Sequence, residues 1–224
     1  MALEQRPWLN GKQAVISLTF DDGCQSQLTH ALPVMDRHNL RGSFYLNPFD
    51  GAYKDHLARF KPAAGNGHEI GNHTCRHRCT LAMGMGDHPE GLEHQTLESV
   101  EADILLAEER LREVFPKHGP RTFCYPCYNQ HVGHGAGRKT YTTLIAQHFV
   151  AGRGGTCNKG FLISPAYCDL SLSGGPAVER MWGFEMVGLA ERAATQNKWL
   201  ILVLHNVDGG YLSVQGDDFE ELCT

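Results

Sequence analysis

Short apolar runs separated by longer amphipathic stretches set the rhythm of this chain. Six runs are rich in β-branched or aromatic residues and too short for helices: AVISLTF (14–20), GSFYLN (42–47), HEIGNHT (68–74), RTFCYP (121–126), HFVAGR (148–153) and WLILVLHN (199–206). Each predicts a strand. Between them Leu97, Val100, Ile104, Leu105, Leu111, Val114 and Phe115 recur near helical spacing, and Met181 to Gln196 repeats that pattern more weakly. Strand followed by helix, repeated along the chain, predicts an α/β fold with a parallel sheet, open or closed into a barrel. The stretches 84–94 and 152–175 are glycine-rich and aperiodic, and read as long loops of the kind that line sites.

Composition narrows the class without changing that picture. With 224 residues, 42% of them hydrophobic, the chain can bury a substantial core, and nothing divides it, so residues 1–224 read as one domain. The 25 acids and 20 bases leave a formal charge of -5 with no long run of either sign, which argues against nucleic-acid or anionic-membrane partners. Residues 1–13 lack an apolar signal core, and no segment approaches the roughly 18 apolar residues of a transmembrane helix. The expectation is a soluble, cytoplasmic chain as it stands, or an extracellular or periplasmic one if a leader has been removed. Eight cysteines fit either compartment, and their pairing is not readable.

In a parallel α/β fold, sites lie where strands end. Three of the predicted ends are unusually polar: Asp21-Asp22-Gly23, the stretch GNHTCRH with His73 and His77, and His205-Asn206. Two histidines four apart on one helical turn point the same way and can grip one metal ion, and a carboxylate from another strand would complete a facial set with open positions. The competing reading is two histidines sharing an exposed helix face, in a chain that holds 13. The adjacent acids have their own plain reading, because Asp-Gly is a common turn and an acid after a strand can cap the next helix. One cap explains one acid. If a metal takes one carboxylate, the other is free to accept a proton from water acidified by the ion.

TFDDG (19–23), HTCRH (73–77) and LHN (204–206), in this order, resemble the polysaccharide deacetylase family, the NodB-homology hydrolases of carbohydrate esterase family 4. The resemblance implies a distorted (β/α) barrel of about seven strands and hydrolytic removal of acetyl groups from N-acetylated sugars, or from O-acetylated xylan. By motif position, Asp22, His73 and His77 would hold a divalent ion, zinc first, with cobalt, nickel or iron as alternatives. Asp21 would be the general base. His205 would be the general acid, a role that suits an imidazole.

The third family motif departs from its usual form. Many members carry Arg-Pro-Pro-Tyr-Gly, whereas TFCYPCYN (122–129) resembles a Tyr-Pro branch without the arginine. The resemblance makes Tyr125, Pro126 and Tyr128 pocket-shaping residues. It also places an oxyanion-binding backbone N–H at Tyr128 or close to it. Arg153, just beyond HFVAG, can replace the missing arginine from a neighbouring strand end, although a salt bridge or a solvated loop arginine would look the same. Trp182 matches a tryptophan that relatives place against the acetyl methyl, against the alternative of a core tryptophan on a helix over 177–196. Cys124 and Cys127 form a C-x-x-C, and Cys75 and Cys79 interleave the histidines. A closed zinc site or a redox couple are options for these four, but small pocket-wall residues are the main expectation.

The mechanism that follows has Asp21 take the water's proton, a backbone N–H hold the oxyanion, and His205 protonate the leaving nitrogen or oxygen. Its rate falls at low pH as Asp21 protonates and at high pH as His205 deprotonates. Family barrels continue past the L-H motif through a helix, a last strand and often another helix, while this chain stops at DDFEELCT. That predicts a C-terminally truncated barrel with an open edge, covered in a homo-oligomer or by a partner. The rival readings are hydrolysis of a non-sugar amide such as a cyclic ureide or imide on the same fold, and a non-catalytic carbohydrate- or metal-binding relative.

Overall fold

A computed structural model describes residues 11–83, 90–158 and 160–224. Its frame is six parallel strands: β1 (Val15–Phe20), β2 (Gly42–Leu46), β3 (Glu69–Asn72), β4 (Phe123–Cys124), β5 (Gly152–Arg153) and β6 (Trp199–Leu204). They are ordered β5-β4-β3-β2-β1-β6 and curl into a half-barrel with helices outside. Every run predicted to be a strand contributes one of them. The strand β1, next to the edge, pairs with the edge strand β6 along its whole length, Val15 with Trp199 through Phe20 with Leu204.

Period-two alternation sorts the strand side chains into two faces. Leu18, Phe20, Phe44, Leu46, Ile70, Leu200, Leu202 and Leu204 belong to the main core, packed beneath the helices. There Phe20 stacks on Phe44 with ring centroids 5.1 Å apart, and Phe219 of the last helix meets Phe20 edge-on at 5.9 Å. The opposite face is polar: Ser17, Thr19, Ser43, Tyr45, Glu69, Thr122 and Arg153 line a lumen cavity of about 100 Å³. Glu69 is anchored there by Ser43 Oγ at 2.6 Å and by the Thr122 N–H at 2.9 Å.

The outer layer consists of α1 (Leu32–Arg37), α2 (Tyr53–Ala58), α3 (Lys61–Gly65), α4 (Leu97–Val114), α5 (Thr142–His148), α6 (Gly183–Gln196) and α7 (Gly216–Cys223). The helix α4 begins on a capping box, with Thr96 Oγ1 accepting from the Ser99 N–H and Ser99 Oγ accepting from the Thr96 N–H. A second core cluster, built on Val100, Ile104, Phe123, Tyr125, Tyr141 and Ile145, sits between α4, α5 and β4. None of the described helices is long and apolar enough to cross a membrane.

Two expectations about the rim change. The open edge expected between β5 and β6 is covered by the chain itself over residues 173–178. The Ser173 N–H donates to Gly152 O at 2.8 Å, and the Val178 N–H donates to Val203 O at 3.1 Å. This approach demands missing side chains, because a Cβ at Gly152 would strike the Ser171 carbonyl and one at Gly175 would lie 2.5 Å from the Ile201 carbonyl. The stretch 152–175 is therefore partly structural, opening with β5. Of the other aperiodic stretch, 84–94, residues 84–89 lie outside the described ones. The helix expected over 177–196 starts at Gly183, since 173–178 is taken up by these strand contacts.

Candidate functional site

All six strands point the same way, so their C-terminal ends share one rim. The Asp21 N–H donates to Leu204 O at 2.9 Å, the His73 N–H to Leu46 O at 3.2 Å and the Tyr125 N–H to Arg153 O at 3.0 Å. These bonds bring the ends of β1, β3, β4, β5 and β6 into register. Asp21, His73, Arg153 and His205 meet there, joined by Asp22 and His77 from adjoining turns.

Asp21 is 2% exposed and forms a short ion pair through Oδ1 with Nη2 of Arg153, itself 2% exposed. The guanidinium also lies 5.1 Å from the Tyr45 ring centroid and 6.0 Å from that of Tyr128. Burial disfavours its charge, and the Asp21 carboxylate together with Cys124, Tyr45 and Tyr128 more than offsets that. Arg153 thus occupies, from a neighbouring strand, the position opposite the acid that the third motif leaves without an arginine. The second Asp21 oxygen faces His205, with Oδ2 to Nε2 at 3.8 Å.

Asp22 departs from strand geometry with φ at 69°, a left-handed conformation that Asp tolerates better than most residues. Its Oδ1 lies 3.4 Å from His73 Nε2 and 3.3 Å from His77 Nε2. Two donors bound to one ion at about 2.0–2.2 Å are separated by about 3.0–3.5 Å in octahedral or tetrahedral arrangements. The spacing therefore fits a shared cation. The ring of His73 is fixed from behind, because its Nδ1–H donates to Cys124 O at 2.8 Å, which turns Nε2 inward.

Titration behaviour points the same way. Burial acts to raise the Asp22 pKa, but its hydrogen bond to His73 and the neighbouring imidazoles hold it well below the carboxylate range. Burial likewise disfavours a charged His73, yet Cys124, Asp22 and Asp21 together raise its pKa well above the ordinary value. His77 is lowered to about 4, by burial first and then by the charge on His73. Near neutrality the Asp22 carboxylate, a protonated His73 and a neutral His77 thus sum to no net charge and hold one dissociable proton between them.

The helical turn expected to present both histidines is absent. Residues 73–80 are irregular, with Thr74 at φ 61° and His77 at φ 50°, and the two rings meet edge-to-face with centroids 4.7 Å apart. Side chains hold the turn: the Thr74 N–H donates to Asn72 Oδ1 at 2.9 Å, and the His77 N–H to Thr74 Oγ1 at 3.0 Å.

The third-motif residues divide. Tyr125 is fully buried in the second core cluster with its hydroxyl on Ser171 O at 2.6 Å, and Pro126 is buried behind it, so both pack the barrel wall instead of lining a pocket. Tyr128, half-buried beside Arg153, does face the site, and its ring fills the space where a Gly155 Cβ would sit. Its N–H, however, is spent on Tyr125 O at 3.0 Å. The neighbouring Cys127 N–H, turned by φ 49°, has no acceptor among the described residues, which leaves it the open backbone donor beside Tyr128. Trp182 is 61% exposed at the start of α6, so the core alternative is incorrect.

Two features went unseen in the sequence. Gln27, fully buried, donates from Nε2 to Asp21 O at 2.5 Å and to His205 O at 2.9 Å, lacing the two strand ends together. A glutamine six residues beyond the acids carries no spacing signal. Cys79 and Cys127 form a disulfide, joining the His77 turn to the Cys127 turn, so the C-x-x-C partners are not paired with each other.

A family model described as polysaccharide deacetylase matches residues 9–142. Curated proteins give no match. Solved structures do. A family 4 carbohydrate esterase from Streptomyces lividans, in complex with acetate, superposes with a TM-score of 0.58 at 12% identity, covering 93% of this chain and 85% of that one. A family 4 acetyl xylan esterase from Clostridium thermocellum, in complex with a cobalt ion, gives 0.55 at 15% identity over 93% and 81%. The peptidoglycan N-acetylglucosamine deacetylase Bc1960 gives 0.54 at 18% identity over 97% and 87%. At these identities the likeness establishes the fold.

Proposed function

The chain belongs to the polysaccharide deacetylase family, and from that premise we propose that it is a metal-dependent hydrolase removing acetyl groups from an acetylated carbohydrate. One observation carries the reading: Asp21 stands buried against Arg153 while Asp22, the next residue, faces two histidines at the spacing of a shared ion. The acetate and cobalt bound by the two esterases support the same chemistry.

Asp22 Oδ1, His73 Nε2 and His77 Nε2 would hold the divalent ion, which when bound polarises the acetyl carbonyl and acidifies the attacking water. Asp21 accepts the proton of that water on Oδ2, the oxygen not engaged by Arg153. Arg153 and the Gln27 bridge hold the base in place. As the carbonyl oxygen gains charge, the Cys127 N–H donates to it. His205, whose Nε2 lies 3.8 Å from Asp21 Oδ2 and 4.0 Å from Asp22 Oδ2, delivers a proton to the leaving nitrogen or oxygen. Acetate and the free amine or hydroxyl are the products.

The test strips the protein with a chelator, restores zinc or cobalt, and measures acetate release from chitooligosaccharides, peptidoglycan fragments and acetylated xylan. Release from at least one, dependent on the metal, is expected; none from any of them with metal bound refutes the reading. Asp21→Asn should abolish turnover and leave metal binding nearly intact. Loss of the ion instead would reverse the two aspartates.

A further inference from the structure

The disulfide between Cys79 and Cys127 lies against the back of a proposed metal ligand. His77 turns Nε2 towards Asp22 and presents Nδ1 to Cys79 Sγ at 3.7 Å. His77, Cys79 and Cys127 each offer a ligand atom, and these atoms lie within 4.8 Å of one another. We propose that reduction of this disulfide opens a second metal site, in which Cys79 Sγ, Cys127 Sγ and His77 Nδ1 hold a thiophilic divalent cation behind the first site.

The geometry suits such an ion. Metal–sulfur bonds of about 2.3 Å and a metal–nitrogen bond of about 2.1 Å, at tetrahedral angles, put sulfur and nitrogen about 3.6 Å apart and the two sulfurs about 3.8 Å apart. The first separation is already met. The second needs only rotation about the Cα–Cβ bonds, since the two Cα atoms are 5.6 Å apart. Two thiolates and an imidazole select soft cations, whereas the carboxylate-bearing Asp22 set suits harder ones. Three protein ligands leave the fourth position to water, the arrangement of an exchangeable site.

Reduction does not release the two turns. The Thr80 N–H donates to Asn129 Oδ1 at 2.8 Å, and Leu92 bridges the two segments from the side, its N–H donating to Cys79 O at 3.0 Å and its carbonyl accepting from the Gly133 N–H at 2.9 Å. Cys79 is 4% exposed, so its sulfur stays within this packing. The other thiols near the first site are directed elsewhere: Cys75 Sγ donates to Pro48 O at 3.0 Å, and Cys124 Sγ lies 3.9 Å from His73 Nε2.

The steps balance with a dithiol as reductant. Its two thiols pass two electrons and two protons to the Cys79–Cys127 bond and leave as a disulfide, giving two protein thiols. Binding of a divalent cation then releases both thiol protons to the buffer and forms two metal–sulfur bonds.

The experiment uses the whole chain, oxidised or reduced with dithiothreitol and freed of reductant under argon, and titrates it with cadmium(II). The reduced protein should develop a thiolate-to-cadmium charge-transfer band saturating at one ion per chain, and the oxidised protein should not. Cys79→Ser should weaken that binding by about 100-fold or more, as expected for the loss of one thiolate ligand. Cys124→Ser should leave it unchanged. Asp22→Ala should keep the band while losing metal at the first site, which separates this proposal from the deacetylase reading. Absence of the band in reduced wild type, or its persistence in Cys79→Ser, overturns the proposal. The wild-type comparison stands even if a variant does not fold.

Discussion

Replacing Arg153 with Met removes one half of a fully buried ion pair, and the structure sets the size of the effect. Both partners are 2% exposed and in contact. At ion-pair contact and an effective dielectric of about 20, the attraction is about 5 kcal/mol, most of it offset by the cost of taking two charges out of water. Removing the cation leaves that cost on Asp21 without the attraction, and such deletions destabilise by about 3–5 kcal/mol. For a chain of this size the melting temperature should fall by about 10 °C. The lost packing of the guanidinium over Tyr45 and Tyr128 acts in the same direction.

Urea denaturation of four proteins measures this: wild type, Arg153→Met, Asp21→Asn and the double variant. The double variant should be more stable than the sum of the single losses predicts, by about 2 kcal/mol, since no charge is then left unpaired. In Arg153→Met the surviving carboxylate is no longer held by its partner, so kcat should fall by about tenfold or more while cobalt binding is kept. Arg153→Lys should recover part of both losses. Destabilisation by less than about 1 kcal/mol with an unchanged kcat would refute the proposal that Arg153 holds the base.

Three other perturbations test separate parts of the site. Because the His73 pKa is raised well above its ordinary value while that of His77 falls to about 4, the metal-free triad carries one proton near neutrality. An ion must displace it, so apparent cobalt affinity should rise about tenfold per pH unit up to the raised pKa and flatten above it; a flat profile would contradict the shared proton. Gln27→Leu leaves the Asp21 and His205 carbonyls without their buried donor, and should cost about 2 kcal/mol in urea and lower kcat more than it raises KM. Trp182→Ala should change stability by less than about 0.5 kcal/mol, given its exposure, and a loss several times larger would restore the core placement.

The strands were legible because each is a short apolar run bounded by polar residues, and the convergence of Asp22, His73 and His77 because they follow strand ends. What escaped depended on contacts between distant parts of the chain. Tyr125 looks like a pocket residue from its motif neighbours, but the hydroxyl is claimed by Ser171, 46 positions away. The His73–His77 spacing suggested a helix, whereas Asn72 and Thr74 side chains bend the chain into a turn that brings the rings together by another route. Trp182 was placed on a helix that starts one residue later, because the preceding stretch is drawn into the gap between β5 and β6. The Cys79–Cys127 disulfide spans 48 positions and has no local signature.

Alternation along the strands explains why adjacent acids take different work. In β1, Ser17 and Thr19 face the lumen while Leu18 and Phe20 face the helices, so the next inward position is Asp21 and the next outward one is Asp22. The same inward series runs through Glu69 and Gly71 to His73 on β3, through Trp199 and Ile201 to His205 on β6, and ends on Arg153 in β5. A polar lumen face therefore delivers Asp21, His73, His205 and Arg153, the proposed base, metal ligand, acid and counter-ion, to one rim from four strands. Asp22 is out of phase with that series and would be carried towards the apolar layer if the strand continued. The left-handed turn at Asp22 breaks the alternation, and its carboxylate swings back to within reach of His73, His77 and His205. Left-handed backbone at a non-glycine residue costs about 1–2 kcal/mol, and the three imidazoles on the carboxylate offset it. A shift of one residue in the pairing register of β1 would exchange the two faces, turning Asp21 away from Arg153 and towards the helices.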